Sequence, residues 1–241
     1  MKIQNFLGSY AIAQSLYNGE DIFTVINYES KNKKTGNVYQ LSFIPVDMFT
    51  EQGFDKSTDD AVCPTDCFFK DSNACYVNLA HAPRAIVQSI RNGNYQDKIN
   101  YLKLSQNVLR LGSYGDCSCL PYEFIEKIIK AAKQGYLNYT HGWKTCDSRF
   151  ANIAMASVET IEDKQLANSM GYRTFRVRPI GGEILEDELL CPYEKNNFIT
   201  CKICMKCNGN NGKSKKNIVV TVHGTTHKIK SYDKHFILNQ E

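Results

Sequence analysis

The spacing of the cysteines constrains this chain more than any other sequence feature. Ten of its 241 residues are cysteines, and most of them fall into two short stretches. The first stretch holds Cys63, Cys67 and Cys75, and the second holds Cys191, Cys201, Cys204 and Cys207. Thiols clustered in this way in a long chain without a convincing signal peptide are typical of metal binding or catalysis, whereas short secreted domains use them for disulfides. We therefore expect thiol-ligated metal.

The first stretch has three residues between Cys63 and Cys67 and seven between Cys67 and Cys75. Three soft thiolates on one loop can grip a zinc ion or three irons of a [4Fe–4S] cluster. Zinc ribbons mostly use two-residue knuckles, so the spacing fits them poorly. The alternative is that Cys63 and Cys67 are inert loop thiols and Cys75 is buried at the start of a helix. We favour metal binding.

The second stretch is the stronger metal signal. Its last three cysteines are separated by two residues each, and four thiols can complete a tetrahedral shell without another ligand. The same atoms suit an iron–sulfur cluster or a Cys₄ zinc site. The spacing leaves both metals open.

Composition and charge place the chain among ordinary globular proteins. Hydrophobic residues make up 42% of it, and no run approaches the roughly 20 apolar residues of a membrane span. The net charge of +4 does not argue for a nucleic-acid partner, and we interpret the lysine-rich run at 213–216 as a solvated loop. The sequence predicts a cytoplasmic protein with no membrane partner.

The chain alternates between strand and helix patterns, which predicts an α/β fold. Residues 21–45 are predicted to form a β-hairpin. Strands are expected at 108–112, 136–140, 152–158, 174–178 and 218–223, with helices at 84–91, 96–104, 121–135 and 163–170. Such units imply a parallel sheet, and we favour a partial or irregular α/β barrel over a doubly wound sheet. The predicted units are an N-terminal hairpin segment, 1–60, packed on a core formed by 61–241, which includes the cysteine-rich segment 191–207.

Several predicted strands end in polar residues. Gly115 and Asp116 follow one strand, and the carboxyl ends of parallel strands are where ligands bind. Asp116 could accept hydrogen bonds from a ligand ammonium, or it could cap the next helix. Three other strand ends carry His141, Ser157 with Glu159, and His223. If these ends converge, they form a pocket under the first cysteine stretch, although histidines in such places are more often structural.

The order of these motifs resembles a cysteine-rich protein family of bacteriophages, the gene product eighty-eight type. The resemblance covers about residues 60–224 and rests on Cys63-Pro-x-x-Cys67…Cys75-Tyr76, the strand ending in Gly115-Asp116, Tyr139-Thr140-x-x-Trp143 and the second cysteine stretch. That family is in turn similar to radical S-adenosylmethionine (SAM) enzymes, which are partial α/β barrels. One departure is the seven-residue gap before Cys75, where those enzymes have two residues.

The resemblance implies a function and a set of roles. Cys63, Cys67 and Cys75 would hold three irons of a [4Fe–4S] cluster and leave the fourth open for SAM. Gly115 and Asp116 would hold the methionine ammonium, and Ser157 and Glu159 would contact the ribose. Cys191, Cys201, Cys204 and Cys207 would hold an auxiliary cluster or zinc.

Two hypotheses follow. In the first, the chain is a phage-encoded iron–sulfur enzyme in the host cytoplasm that acts on an unknown substrate by SAM chemistry. In the second, both cysteine groups hold zinc in a non-enzymatic module that binds nucleic acid or a host protein. The roles of Cys117, Cys119 and Cys146 stay open under both.

Overall fold

The structure is a computed structural model that describes residues 6–50, 53–212 and 214–238. Its strands in chain order are β1 (Gly8–Gln14), β2 (Asp21–Asn27), β3 (Tyr39–Pro45), β4 (Phe49–Thr50), β5 (Gly53–Phe54), β6 (Tyr95–Asp97), β7 (Leu109–Arg110), β8 (Tyr136–Leu137), β9 (Tyr139–Thr140), β10 (Met155–Val158), β11 (Thr174–Arg178), β12 (Glu188–Leu190) and β13 (Asn217–Thr221).

The helices are α1 (Phe68–Asp71), α2 (Ala82–Arg91), α3 (Tyr101–Leu104), α4 (Tyr122–Ala131), α5 (Phe150–Ile153), α6 (Ile161–Ser169), α7 (Pro192–Lys195), α8 (Cys201–Cys204) and α9 (Thr226–Leu238). Short 3₁₀ helices cover Val46–Met48, Lys56–Ala61, Cys117–Cys119 and Gly142–Lys144. The mixture of sheets and helices confirms the α/β class.

Two large sheets carry the fold. The first has the strand order β6-β1-β2-β3-β7-β8, and the second has the order β12-β13-β11-β10-β9. Strand β2 lies between β1 and β3 and pairs antiparallel with both. The β2–β3 pair is the predicted hairpin. From β3 onward every pairing in these sheets is parallel. Only Asn138 separates β8 from β9, so one short segment of chain joins the two sheets.

The helices follow the sequence signals that predicted them. Helix α2 has Pro83 in its first turn, buries Val87 and Ile90, and ends at Asn92. Helix α4 begins after Pro121 and buries Ile125, Ile128 and Ile129. These faces pack on the sheets because apolar side chains at helical spacing form one stripe.

Two sequence assignments are wrong. The predicted helix over 96–104 begins only at Tyr101, because residues 95–97 pair as a parallel strand with β1. The predicted strand over 152–158 begins only at Met155, because residues 150–153 form α5. In both cases the pairing partner is distant in sequence, so local periodicity does not reveal it.

The buried apolar residues form two clusters. The larger one joins side chains of β2 and β3, such as Ile22 and Phe43, to those of α4 and β10. The hydrogen-bonded sheet and this core therefore both run across the predicted boundary at residue 60. The smaller cluster contains Cys67, Cys191 and Cys207 together with Val177 and Val220 of the second sheet. Among the described helices, none has the length and apolar character needed to cross a membrane.

Candidate metal centres and strand-end site

Local hydrogen bonds fold the first cysteine segment back on itself. The N–H of Cys63 donates to the Asp59 carbonyl at 2.9 Å. Cys67 directly precedes α1, and its carbonyl accepts from the N–H groups of Lys70 and Asp71 in that helix. Asn73 then adopts a left-handed backbone with φ of 55°. The N–H of Cys75 consequently reaches the Phe69 carbonyl at 2.9 Å. The seven-residue gap therefore contains one helical turn, followed by a reversal of the chain direction at Asn73. This reversal brings Cys75 back towards Cys67.

The three thiols of this segment influence one another electrostatically. Burial raises the pKa of Cys63 well above its ordinary value, and Asp59, Cys67 and Cys75 raise it further. Burial likewise raises the pKa of Cys67 to about 12, with added contributions from Glu159 and Cys75. The structure therefore gathers the three predicted ligands into one region, with Lys70 close enough to Cys63 to interact with it electrostatically and Lys228 donating to the Cys75 carbonyl.

Asp116 is bonded on both of its carboxylate oxygens. Oδ1 accepts from the N–H and the hydroxyl of Ser118 at 3.0 and 2.7 Å and from the Thr140 hydroxyl at 2.7 Å. Oδ2 accepts from the N–H of His141 at 2.6 Å. Asp116 caps the 3₁₀ helix Cys117–Cys119, and its bonds tie this turn to the end of β9. Burial opposes its ionisation, but the bonds and charge of His141 outweigh burial and lower the pKa of Asp116.

Gly115 supports this arrangement through its backbone. Its φ is 76°, and a Cβ at this position would lie 2.8 Å from the Phe43 carbonyl oxygen. A side chain would therefore meet both a steric clash and an unfavourable left-handed conformation. Glycine allows the chain to turn beside β3 and present Asp116.

His141 and Glu159 each leave a buried atom without a hydrogen-bond partner. Nδ1 of His141 lies 3.7 Å from Oδ2 of Asp116, while its Nε2 is buried and unpaired. Oε1 of Glu159 is also buried and unpaired, and burial raises the pKa of this carboxyl to about 7. Burial lowers the pKa of His141, but Asp116 and Glu159 reverse this and raise it. Unpaired buried polar atoms are uncommon in folded proteins, and two of them on neighbouring strand ends make this edge a candidate for ligand binding.

Ser157 is the second-to-last residue of β10, which ends at Val158. It is 6% exposed, and its carbonyl accepts from the indole N–H of Trp143 at 3.1 Å. This bond fixes the turn after β9 to β10. The structure thereby brings the segment around His141 to the same sheet edge as Ser157 and Glu159.

Aromatic rings cover this edge. Phe69 of the first cysteine segment packs on His141 with ring centroids 5.9 Å apart. Tyr76 stacks on His223 at 4.7 Å with an interplanar angle of 20°. His223 also places Nδ1 3.0 Å from the Thr221 carbonyl oxygen. Three strand ends therefore meet beneath the first cysteine segment.

Helix α9 closes the same region from the outside. Its Tyr232 is fully buried, contacts the rings of Phe68 and Phe69, and donates its hydroxyl to the Val177 carbonyl at 2.7 Å. A cavity of about 730 Å³ lies beside it, lined by Asp66, Phe68, Asp71, Thr160, Glu162, Asp163 and His235. This helix and its contacts were not predicted from the sequence.

The second cysteine segment lies against the second sheet and the β2–β3 turn. The N–H of Cys191 donates to the Val219 carbonyl at 2.8 Å, and the N–H of Cys201 donates to the Lys34 carbonyl at 3.0 Å. Met205 adopts a left-handed backbone with φ of 53° between Cys204 and Cys207. The carbonyl of Cys207 accepts from the N–H of Asn138 at 2.9 Å.

The thiols of this second group also influence one another. Burial raises the pKa of Cys207 to about 12, and Cys201, Cys191 and Cys204 raise it further. Burial and Cys191 raise the pKa of Cys201, whereas the positive charges of Lys34 and Arg110 oppose that rise. The structure therefore gathers all four predicted ligands, and it places cations beside them.

Within the described residues, no three His, Cys, Asp or Glu side chains stand in the arrangement of a metal site. Metal binding at either group would require the thiols to turn towards a common point. The remaining cysteines lie elsewhere. Cys117 and Cys119 are buried in the 3₁₀ turn, and Sγ of Cys146 lies 3.3 Å from the hydroxyl oxygen of Tyr172.

Sequence reasoning did not assign a role to His141 or Tyr76 at this site. His141 carried one signal, its place after a strand, but nothing in the sequence shows that its Nε2 is buried and unpaired. The position of Tyr76 depends on the reversal at Asn73. Comparisons of this chain with protein families, with curated proteins and with solved structures find no match.

Proposed function

We propose that this chain is a phage-encoded metalloprotein with two thiol-ligated centres, and that the first centre is a radical-SAM-like iron–sulfur site. The observation that carries the proposal is the position of Cys63, Cys67 and Cys75. They follow the 3₁₀ helix Lys56–Ala61, and their segment lies beside strand ends that present unpaired His141 and Glu159 atoms. A ligand-binding centre requires this combination of metal ligands and available polar atoms.

The donor chemistry fits a metal at both groups. Several thiols that are buried together disfavour one another's ionisation, as the raised pKa values of Cys63 and Cys207 indicate. A bound cation reverses this effect, because it stabilises the thiolate form and replaces the lost protons. Soft thiolates favour zinc or iron–sulfur clusters over hard cations. Cys63, Cys67 and Cys75 would hold one group, and Cys191, Cys201, Cys204 and Cys207 the other.

The number of ligands separates the two proposed roles. Four thiols can satisfy a metal completely, which is typical of a structural site, while three leave one position for a ligand. When bound, a [4Fe–4S] cluster with an open iron supplies the electron for reductive cleavage of SAM.

The protein's own residues would bind and orient the ligand. Asp116 has its oxygens occupied, so it positions His141 rather than offering a bare carboxylate. His141 Nε2 and Glu159 Oε1 remain for a ligand: the protonated imidazole donates to a ligand oxygen, and the carboxyl oxygen accepts from ammonium or hydroxyl groups. Phe69 packs on His141, and Tyr76 packs on Phe69 and His223, so the rings shield this edge partly from water, which strengthens polar interactions. Ser157 and Glu159 keep their proposed place near a ribose.

The sheet order supports a partial barrel for this enzyme. The parallel series β3, β7, β8 with β9, β10, β11 and β13 crosses from one sheet to the other through Asn138. Side chains of the second sheet, such as Val177 and Ile218, share a core with Cys67, Cys191 and Cys207. We propose that the two sheets form one curved wall around the two cysteine groups.

Metal analysis of anaerobically purified full-length protein tests the proposal. We expect a brown protein with iron and acid-labile sulfide, and a change in the electron paramagnetic resonance spectrum of the reduced protein when SAM is added. Cys67→Ser should lose roughly four irons per chain and the response to SAM, while the matched control Cys146→Ser keeps both. Iron without any response to SAM would leave an iron–sulfur protein and exclude the SAM assignment.

The zinc module is the second candidate, and one observation favours it. The left-handed Met205 produces a tight turn between Cys204 and Cys207, as a zinc knuckle requires. A colourless protein with stoichiometric zinc at both groups would replace the enzyme proposal by a zinc module that binds nucleic acid or a host protein. Zinc at the second group alone is compatible with the first candidate.

A further inference from the structure

Two lysine-bearing segments that are distant in sequence are joined on one surface. The β2–β3 turn carries Lys31, Lys33 and Lys34, and the second cysteine segment carries Lys195, Lys202 and Lys206. The two are held together by backbone bonds. The N–H of Cys201 donates to the Lys34 carbonyl, and the N–H of Lys202 donates to the Thr35 carbonyl, each at 3.0 Å. We call the six lysines and the residues between them the lysine surface.

This surface concentrates the positive charge of the protein. Residues 29–37 and 191–207 contain these six lysines and only two carboxylates, those of Glu29 and Glu194. Oε1 of Glu194 accepts a hydrogen bond from the N–H of Thr221. The net charge of the whole chain is only +4, so the remainder of the protein is close to neutral. A local excess of cations attracts polyanions even where the overall charge is small.

Two apolar side chains project from the same surface. Phe198 is 82% exposed and Ile203 is 70% exposed, and they lie in sequence between Lys195 and Lys206. Most large apolar side chains of the chain are buried, so an aromatic ring left in water among lysines calls for a partner with flat apolar faces. Nucleic-acid bases have such faces, and they are attached to a backbone of negative charges.

We infer that the lysine surface binds single-stranded nucleic acid, with Phe198 stacking on a base and the lysines contacting phosphates. A single strand fits better than a duplex because its bases are free to stack on a side chain that extends from a short loop. An anionic membrane fits less well, because that mode needs a long amphipathic helix, whereas α8 covers only Cys201–Cys204. The inference goes beyond the proposed SAM chemistry and does not depend on which metal the cysteines hold.

Fluorescence anisotropy with a labelled single-stranded thymidine oligonucleotide tests this inference on the full-length, metal-loaded protein. We expect binding that weakens as salt increases. Phe198→Ala should weaken it on the order of tenfold, as loss of one stacked base does. Lys33→Ala, in an exposed turn, should reduce the slope of log affinity against log salt by about 0.7, the value for one phosphate contact on a single strand.

Matched controls come from α9, which packs on the first cysteine segment. Ile237→Ala removes an exposed apolar side chain, 60% exposed, and Lys234→Ala removes an exposed lysine of the same helix. Both should bind the oligonucleotide like the unmodified protein. Metal content and circular dichroism must be the same in all variants. Lys33→Glu reverses one charge of the lysine surface without touching the cysteines, and it should also weaken oligonucleotide binding.

Three results would overturn the inference. They are absence of oligonucleotide binding at low salt, equal weakening by the control variants, and binding to vesicles with anionic lipids without binding to the oligonucleotide. None of them affects the metal and SAM measurements that test the proposed function.

Discussion

The two cysteine groups differ in the charged residues that act most strongly on their thiols. Asp59 and Glu159 each raise the pKa of a thiol in the first group. Lys34 and Arg110 favour the thiolate of Cys201 in the second. Positive charge favours a thiolate and negative charge opposes it, so these neighbours act in opposite directions on Cys201 and on the thiols of the first group. We propose that the second group is a structural centre and the first a ligand-dependent one.

The largest effect is expected from Cys204→Ser. Removing one thiol from a closed site withdraws metal-binding free energy, which is about 10–16 kcal/mol in small zinc sites, from the folded state. We expect loss of soluble folded protein, or a sharply lowered melting temperature together with loss of the second metal. Melting curves and metal content measure this. A variant that stays folded and retains its metal would show that the second group is not a structural centre.

The next largest effect is expected from Glu188→Ala, which acts on the second group through the sheet. Arg176 and Glu188 form a buried pair with Nε–Oε1 at 2.6 Å, and Glu188 begins β12, the strand that leads to Cys191. Leaving Arg176 buried and unpaired should cost about 3–5 kcal/mol of unfolding free energy. Urea denaturation measures the loss.

The control for this change is Glu126→Ala, which removes the exposed ion pair with Lys130 and should leave the free energy of unfolding almost unchanged, because water screens such a pair. If the two variants lose equal stability, the buried pair does not hold β12 in place.

A smaller effect, with a defined pH dependence, is expected at Glu159 beneath the first group. Burial raises the pKa of Glu159 from 4.5 to about 7, so the folded protein keeps this proton over a range where the unfolded chain has released it. Folding stability should therefore fall as pH rises through that window, by about 3 kcal/mol, and level off above it. Glu159→Gln should remove this contribution to the slope.

Urea denaturation at several pH values from about 4.5 to 8 gives the slope. Glu162→Gln, an exposed neighbour, should leave it unchanged. Identical slopes for the unmodified protein and Glu159→Gln would show that Glu159 is ionised and paired when the protein is folded.

The smallest effect on folding is expected from Cys67→Ser. The substitution places a hydroxyl where a buried thiol was, at a cost of about 1–2 kcal/mol. The protein should remain soluble and folded but lose the first metal and ligand binding. If Cys67→Ser and Cys204→Ser aggregate to the same degree, both centres are structural.

The sequence predicted the regular part of the fold well. The hairpin, α2, α4, α6 and the strand at 174–178 follow from periodicity and from Pro and Gly signals that act within a few residues. It did not predict β6, because Tyr95-Gln96-Asp97 is polar and becomes a strand only by pairing with β1. Nor did it predict α9, in which only Tyr232 is buried and the packing partners are Phe68 and Phe69 of a distant segment.

The candidate site also has parts that the sequence predicts and parts that depend on distant contacts. Cysteine spacing identifies both groups, because ligands that share a metal are close in sequence. Asp116 could be noticed at a strand end, but its role depends on Thr140 and His141, which reach it only in the folded chain. The overall charge does not reveal the lysine surface, because its two segments meet only in the folded chain, where the N–H of Cys201 donates to the Lys34 carbonyl.

The bond between Asn138 and Cys207 has a consequence for biosynthesis. Asn138 joins the two sheets, and its N–H is satisfied by the carbonyl of a residue made roughly 70 positions later. At ordinary rates of translation this carbonyl leaves the ribosome on the order of several seconds after Asn138 does. The joint between the sheets must wait for that moment, so the nascent chain completes its fold late, when the last thiol of the second group has also been made.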